Sequence, residues 1–551
     1  MQQRHRPSRL GSPAARRFAF NALLLIAVNL FMRTVGVSFN VYISNRAGGE
    51  VMGLYALLSG VYGLALTLGC GGINLGTTRL IADVMGRFSP EGEDTRLRSL
   101  SLPCRRAMRG ALWRCLLYSL ACGVGAGVLL FFFAPVIGRG WLGDPRTIPS
   151  LRVLALTLPP VSLCACLNGY FTAVRRVAKT AAVGIGTQFL RVGLCAYFLT
   201  LWLPDGEEMT CLALVLGGAL SELCALLLTV LAYLTELHPA GGAKKAELSP
   251  AEEADECGAT TKKLLGITVP VTLSACLRSG LLTLQHALIP RGLKKSGASW
   301  ERALTSYGVL HSMVLPVVLF PSAFISSFSG ILVPEVAESR ARGDHLRVAR
   351  LADKIITPAL VFSFGVAGIM ACFGYELGEA IYGSREAGEY IRILAPLIPI
   401  MYVDSSVDAF LKGMGEQVYS MNVNIIDALA SVILVVLLLP RMGLWGYVVA
   451  IYVTETLNTT LSLCRMLRMS AMPIRLWRQV FGPLLCVVGA TALFRLVMAI
   501  LPRSPFPSLG EKVTLTLYVV VTALIYLALL WITGVIRPSG DKTPALATAH
   551  E

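Results

Sequence analysis

Charge is scarce in this chain. Only 15% of its 551 residues are Asp, Glu, Lys or Arg, against roughly 25% in an average soluble protein. Long polar segments are scarce too, and no stretch between apolar runs exceeds roughly 30 residues. That leaves no room for the extramembrane catalytic loop that a membrane-bound glycosyltransferase or glycan polymerase needs. No GxxxxGK[ST] loop is present, which argues against nucleotide-driven pumping by this chain alone, and no catalytic-triad spacing appears. The 14 Cys show no zinc-type pairing with His, and Cys164-Ala-Cys166 has the wrong spacing for CxxC. Cys115, Cys122, Cys164 and Cys166 sit inside apolar runs and read as small apolar helix residues. The sequence thus calls for no metal and no cofactor, and it does not read as an enzyme.

Apolar runs are what the chain has instead. Hydrophobic residues make up 55%, mean hydropathy is +0.65, and stretches longer than 18 residues recur from end to end. About 20 residues at 1.5 Å each cross a ~30 Å hydrocarbon layer, and a helix satisfies its own backbone hydrogen bonds there. The spans fall at roughly 18–44, 53–80, 112–137, 153–171, 180–203, 210–235, 264–290, 304–335, 352–373, 388–411, 417–438, 443–464, 479–501 and 513–535. This predicts an all-α, polytopic membrane protein of about fourteen transmembrane helices. Five arginines precede the first run, as in a signal peptide. The run is far longer than a 7–15-residue signal core, and no small-residue cleavage site follows.

An even number of spans puts both termini on one side. Of the Lys and Arg outside the spans, 29 fall on that side and 12 on the other, so the termini are expected in the cytoplasm and the protein in the plasma membrane. The net charge of +16 then reflects cytoplasmic loops, with no nucleic-acid partner. Segments 1–17 and 536–551 read as cytoplasmic tails, and 236–263 as a cytoplasmic linker between two halves.

The halves repeat. Leu151-Arg-Val-Leu-Ala-Leu-Thr-Leu-Pro159 aligns without a gap on Ile391-Arg-Ile-Leu-Ala-Pro-Leu-Ile-Pro399, pairing Arg152 with Arg392 and Pro159 with Pro399. Ser221-Glu222 in span six matches Thr454-Glu455 in span twelve. Six helices separate the members of each pair, so the repeat is parallel, about an axis along the membrane normal. Two six-helix lobes, 18–235 and 264–464, are expected, with 479–535 as two appended helices.

An arginine at mid-membrane costs at least ~2.5–3.5 kcal/mol and needs a partner or a wet cavity. Arg33 is central to a one-sided stripe of Asn29, Arg33, Gly36 and Asn40 in span one. Arg278 lies at the equivalent depth of span seven, with Ser274 and Gln285 on its face. One reading has both arginines facing a water-filled cleft that holds an anion, for which the planar guanidinium fork suits phosphate. The other has each paired with a carboxylate in its own half. Arg79 ends span two and either faces the cleft or snorkels. Arg191 in span five and Glu222 in span six are expected to pair. In the second half, Asn424, Asp427, Thr454 and Glu455 form either a Na⁺ or H⁺ coupling site or a set of interhelical hydrogen bonds. Asp404 and Asp408 lie one turn apart in span ten. His286 and His311 read as hydrogen-bonded helix residues. Pro316 and Pro321 predict a bent or broken span eight, with Ser322, Ser326 and Ser329 on one face.

Several segments resemble the stage V sporulation protein B family. They are Arg33-Thr-Val-Gly with Ala47-Gly-Gly-Glu-Val-Met-Gly-Leu-Tyr55, Gly72-Ile73 with Thr78-Arg79-Leu80-Ile-Ala82, Ile331-Leu-Val-Pro-Glu335 with Gly343-Asp344, and Leu411-Lys-Gly-Met-Gly-Glu416. The resemblance implies the multidrug/oligosaccharidyl-lipid/polysaccharide exporter superfamily, with twelve core helices, two extra ones and alternating access. It implies a lipid-linked, pyrophosphate-bearing sugar as substrate, such as peptidoglycan lipid II or another cell-wall unit. Lipid II flippases of the superfamily line their cavity with arginines on helices one, two and eight. Arg33 and Arg79 match the first two, while helix eight has no arginine before Arg340, so Arg278 would have to substitute. Family cation sites use helices seven, eleven and twelve; Asp427 and Thr454 are compatible, but helix seven carries no acid. The reading favoured here is a monomeric flippase of a lipid-linked oligosaccharide, working among membrane lipids. The rivals are a cation-coupled multidrug exporter of the same superfamily and a membrane-bound glycan polymerase or glycosyltransferase.

Overall fold

The computed structural model describes residues 13–88, 102–174, 176–235, 250–500 and 510–535. Residues 1–12, the first half of the expected linker (236–249) and the C-terminal tail lie outside the described residues. Every regular element among those described is helical.

Helix α1 (Pro13–Cys70) shows how the sequence sets the first turn. Its 58 residues would reach about 87 Å as a straight rod, well over twice a ~30 Å hydrocarbon core. Gly48 breaks it, with φ 80° and ψ 172°, a conformation that costs glycine little and other residues much. The break separates the expected spans 18–44 and 53–80. A second turn at Gly72 leads into α2 (Ile73–Phe88). Helices α3 (Leu102–Val136), α4 (Ile148–Ala173), α5 (Val177–Trp202), α6 (Glu207–Leu234) and α7 (Pro250–Lys295) follow.

The expected break in span eight is present. It runs as α8 (Trp300–Gly308), a π-helical stretch Val309–Val314, α9 (Leu315–Leu319) and α10 (Ser322–Ala341). Pro316 and Pro321 withhold two backbone donors, and the serines take up local carbonyls: Ser322 Oγ donates to the Leu319 carbonyl at 2.6 Å and Ser326 Oγ to that of Ser322 at 3.0 Å. Then come α11 (His345–Tyr382), capped by Asp344, which accepts from the Arg347 amide at 2.9 Å, and α12 (Arg385–Leu394), a 3₁₀ turn Ala395–Leu397 and α13 (Ile398–Gly413). Helices α14 (Gln417–Met442), α15 (Leu444–Ser470), α16 (Gly482–Ile500) and α17 (Glu511–Ile532) complete the chain.

Twelve stretches among the described residues are long and apolar enough to cross a membrane, where the sequence predicts fourteen spans. One of the twelve, Leu30–Met85, runs through the Gly48 break and so spans two expected crossings. Helix α15, over expected span twelve, is not among them; Thr454, Glu455, Asn458, Thr459 and Thr460 dilute its apolar run. Large apolar side chains such as Trp113, Phe132, Leu273 and Ile500 stay exposed, as suits a surface facing lipid. The chain is a multi-pass, all-helical membrane protein.

Packing groups the helices into two compact units. The first holds residues up to Met313 with Met421–Thr454, and the second holds Val314–Ser420 with the chain from Glu455 onward. In the first, Ile73, Ile81, Leu112, Cys166 and Phe171 form a core where α2, α3 and α4 meet. In the second, Val336, Ile355, Val407, Phe410 and Met466 bring together α10, α11, α13 and α15. Helices α16 and α17 dock on α11. Tyr526 donates to the Val361 carbonyl at 2.7 Å, and Gln479 Nε2 reaches Asp353 at 3.2 Å.

The two aligned arginines have matching environments. Arg152 on α4 lies over the Phe131 ring of α3, and Arg392 on α12 over the Tyr375 ring of α11, each with Cζ 5.4 Å from the ring centre. The copies differ where Pro396 replaces Leu156: its missing N–H tightens α12–α13 into the 3₁₀ turn, whereas α4 stays α-helical.

Close backbone approach fixes the α11–α12 hairpin. A side-chain carbon added at Gly378 would lie 2.2 Å from the Gly388 nitrogen. Gly378→Val is expected to lower the midpoint of thermal unfolding in detergent by several degrees, the scale of the ~1–3 kcal/mol that overpacking costs. Gly184→Ala, with open space at its side-chain position, should leave the midpoint unmoved; equal midpoints for both variants would refute the packing argument.

Candidate functional site

Helix α1 carries the polar stripe of span one. The Asn29 side chain lies outside the described residues. Arg33 is exposed and Asn40 half-buried, with the Asn40 carbonyl oxygen enclosed and without a hydrogen bond. Gly36 on the same face meets the amide of Gln188 on α5, whose Nε2 would be 3.8 Å from an added side-chain carbon. Arg79 on α2 is also exposed. Beside it, Thr78 Oγ1 bonds the Asn74 carbonyl at 2.8 Å and the Gly169 carbonyl of α4 at 3.0 Å, which fixes the start of α2.

On α7, Arg278 is exposed and Gln285 half-buried, while Ser274 turns its hydroxyl back to the Pro270 and Val271 carbonyls. The Arg278 guanidinium lies within electrostatic reach of Asp427 on α14. Residues that the sequence divided between an anion site and a cation site therefore share one environment. Asn424, one turn before Asp427, is half-buried. Thr454 is buried, and its hydroxyl bonds the Ile451 carbonyl of its own helix at 3.3 Å. Glu455 is half-buried and belongs to the second unit, unlike Asp427.

Two polar constellations bring charges named in the sequence to partners that the sequence did not name. The first is a cavity of about 270 Å³ inside the first unit, lined by Tyr55, Tyr62, Thr157, Arg191 and Glu222 among others. Arg191 and Glu222 do act on each other electrostatically, but the guanidinium's direct hydrogen bond goes to the Tyr55 hydroxyl at 3.3 Å. The hydroxyls of Tyr62 and Thr157 pair at 2.7 Å. At ~30 Å³ per water, the space takes several waters beside two opposite charges. The expected simple ion pair is thus an open, hydratable one. Only the chemical types of Arg191 and Glu222 signalled it in the sequence; the tyrosines come from a distant turn of α1.

The second lies in the second unit. Asp404 accepts from Asn458 Nδ2 at 3.4 Å and Asp408 from Ser420 Oγ at 2.5 Å. These carboxylates hold α13 to α15 and to the start of α14. Asn458 falls one turn after Glu455, a spacing that could have flagged it. Of the two histidines, His286 has its Nδ1 2.6 Å from the Tyr307 hydroxyl, whereas His311 stacks its ring on Tyr307 with centroids 5.3 Å apart and leaves its buried Nδ1 without a hydrogen bond. No group of three or more His, Cys, Asp or Glu positioned to hold a metal occurs among the described residues.

This arrangement can stabilise charge inside an apolar bundle. Residues 18–289 match the family model for polysaccharide biosynthesis proteins. Stage V sporulation protein B of Bacillus subtilis (strain 168) is 25% identical over 451 residues, which cover 81% of this chain and 83% of that protein. Among solved structures, lipid II flippase MurJ in its inward closed conformation aligns with a TM-score of 0.65 at 11% identity, covering 93% of this chain and 99% of the flippase. An inward-facing multidrug resistance MATE family transporter of the MOP superfamily gives a TM-score of 0.57 at 16% identity, over 81% of this chain and 98% of the transporter. The chain therefore has the fold of the flippases and transporters of the MOP superfamily, and its first half matches the polysaccharide biosynthesis proteins in sequence.

Proposed function

We propose that this protein carries a lipid-linked, diphosphate-bearing oligosaccharide, a cell-envelope precursor, across the plasma membrane by alternating access. The moving bodies are the lobes 18–235 and 264–464, with both termini in the cytoplasm. The observation that carries the reading is the exposure of Arg33 and Arg278 on repeat-related helices. A guanidinium facing hydrocarbon is strongly disfavoured, so a wet cleft and an anionic ligand are its natural surroundings. Diphosphate offers enough oxygens for two guanidinium forks. Arg79 adds a third cation at the cytoplasmic end, and Asn40 and Gln285 supply hydrogen bonds for sugar hydroxyls. The lipid tail stays in the bilayer while the head group crosses. The sequence likeness to stage V sporulation protein B and the fold likeness to lipid II flippase MurJ support this substrate class.

Asp427 supplies the link to a driving ion. Its electrostatic pull on Arg278 competes with a diphosphate for the same guanidinium. A proton or Na⁺ neutralising Asp427, with Asn424 and Thr454 as further oxygen donors, releases Arg278 toward substrate; the sequence names Glu455 as a further candidate. Cation-coupled drug export is the second reading, favoured by the MATE-like fold and the acid Glu222 beside a cavity.

Proteoliposomes loaded with a fluorescent lipid-linked oligosaccharide test the substrate. Arg33→Ala and Arg278→Ala should each slow flipping by roughly 10–100-fold, the scale of a lost charge-assisted hydrogen bond. Lys at either position should rescue poorly, because a point charge lacks the fork. Full activity in both alanine variants would discard the reading, and transport of a cationic dye with no flipping would favour the drug exporter.

The same vesicles test coupling. Asp427→Asn and Glu455→Gln should flip more slowly and lose the response to an imposed ion gradient, while their yield and thermal midpoint stay at wild-type values. A gradient response retained by both variants would remove these residues from the coupling site.

A further inference from the structure

Four interhelical turns converge at one end of the first unit. Arg146, between α3 and α4, is their hub. It bonds Asp144 through Nε and Nη2 at 3.1 and 2.8 Å, Glu50 of the α1 break at 2.9 Å, and Glu207 at the start of α6 at 2.8 Å. Asp144 is buried and also accepts from the Arg146 backbone amide at 3.0 Å. Burial works against its charge, but the bonds from Arg146 and Trp300 hold its carboxyl below the ordinary range. All four residues of this knot belong to the 18–235 repeat.

The visitor is the α7–α8 hairpin. Trp300, the first residue of α8, donates its indole N–H to Asp144 Oδ2 at 3.1 Å. Arg291, near the end of α7, donates to the Gly140 carbonyl. Beneath them α8 lies against α1 backbone to backbone. A carbon added at Gly53 would be 2.2 Å from the Leu304 carbonyl oxygen, and one at Gly308 would be 2.2 Å from that of Gly49. Ser312 Oγ donates to the Met52 carbonyl at 3.2 Å.

We propose that Asp144 and Trp300 form a releasable latch that shuts this end of the first unit, with the Arg146 knot as its preassembled keeper. The proposal rests on the two-lobe reading above. The division of bonds makes the latch reversible. When Trp300 leaves, Asp144 keeps Arg146 and its backbone amide, so no bare charge is left buried, and the departing indole loses one hydrogen bond. Breaking Arg146 from Asp144 would instead strand a buried carboxylate, which is far costlier. The glycine contact favours the same motion: flat backbone surfaces separate without pulling interlocked side chains from their rotamers. Lys294, 6.0 Å from the Trp300 ring centre, adds only an exposed cation–π contact.

Hydrogen–deuterium exchange on the full chain in lipid nanodiscs reads the latch without substrate. Trp300→Phe keeps the ring and removes the donor. Exchange should rise roughly tenfold, the scale of one charge-assisted hydrogen bond, in segments 44–54 and 300–313. Segment 482–500 should exchange as in wild type, and Lys294→Ala should match wild type throughout. Unchanged exchange at 44–54 and 300–313 in Trp300→Phe overturns the proposal. A rise that extends to 482–500 also overturns it, because Trp300 would then support the whole fold. If exchange responds as expected while no lipid-linked oligosaccharide is flipped, the latch stands and the transport reading falls.

Discussion

The rest of this structure depends on the cost of holding charge in hydrocarbon. The chain is poor in charge, yet it keeps Arg33, Arg191, Arg278, Glu222, Asp404, Asp408 and Asp427 within its helical spans. Each such group needs water, a counter-charge or hydrogen-bond partners, and the solutions differ by place. Asp404 and Asp408 accept hydrogen bonds from Asn458 and Ser420 and act as struts. Arg191 and Glu222 share a hydratable cavity. Arg278 and Asp427 act on each other across two helices. The bundle thus sorts its charges into those held by neighbouring side chains and those left able to change partner, and only the second kind suits transport.

What the sequence made legible follows from short-range physics. Hydropathy located the helices because a span's length is set by the bilayer and its polarity by the lipid. The proline pair Pro316 and Pro321 marked a break because their backbone limits act within one residue. The repeat was readable at Arg152 and Arg392, and the matching aromatic platforms of Phe131 and Tyr375 fit it. The count of spans was less legible. A polar run such as 454–460 lowers hydropathy as a loop would, although α15 is continuous there.

Partnerships across helices were not legible. Nothing within a few residues of Arg191 points to Tyr55, which lies 136 positions away, and Trp300 is 156 positions from Asp144. Helical periodicity assigns a residue to a face but does not say which helix that face will meet. Hence the sequence could name Arg278 and Asp427 as mid-span charges of opposite sign but left open whether they answer each other. The MOP-superfamily fold supplies the neighbour relations that periodicity lacks.

The docking of α16 and α17 on α11 has a developmental consequence. During synthesis α11 is complete roughly a hundred residues before Gln479, and well over a hundred before Tyr526, leaves the ribosome. Until then Gly365 and Gly368 form an empty notch, awaiting Tyr526 and Val487, and Asp353 lacks its amide from Gln479. Lipid chains must fill that notch in the interval and be expelled when the last hairpin inserts. The final step of assembly is therefore an exchange of lipid for protein on a surface already folded, and a chain cut short before α16 would leave the membrane facing a helix shaped for a partner that never arrives.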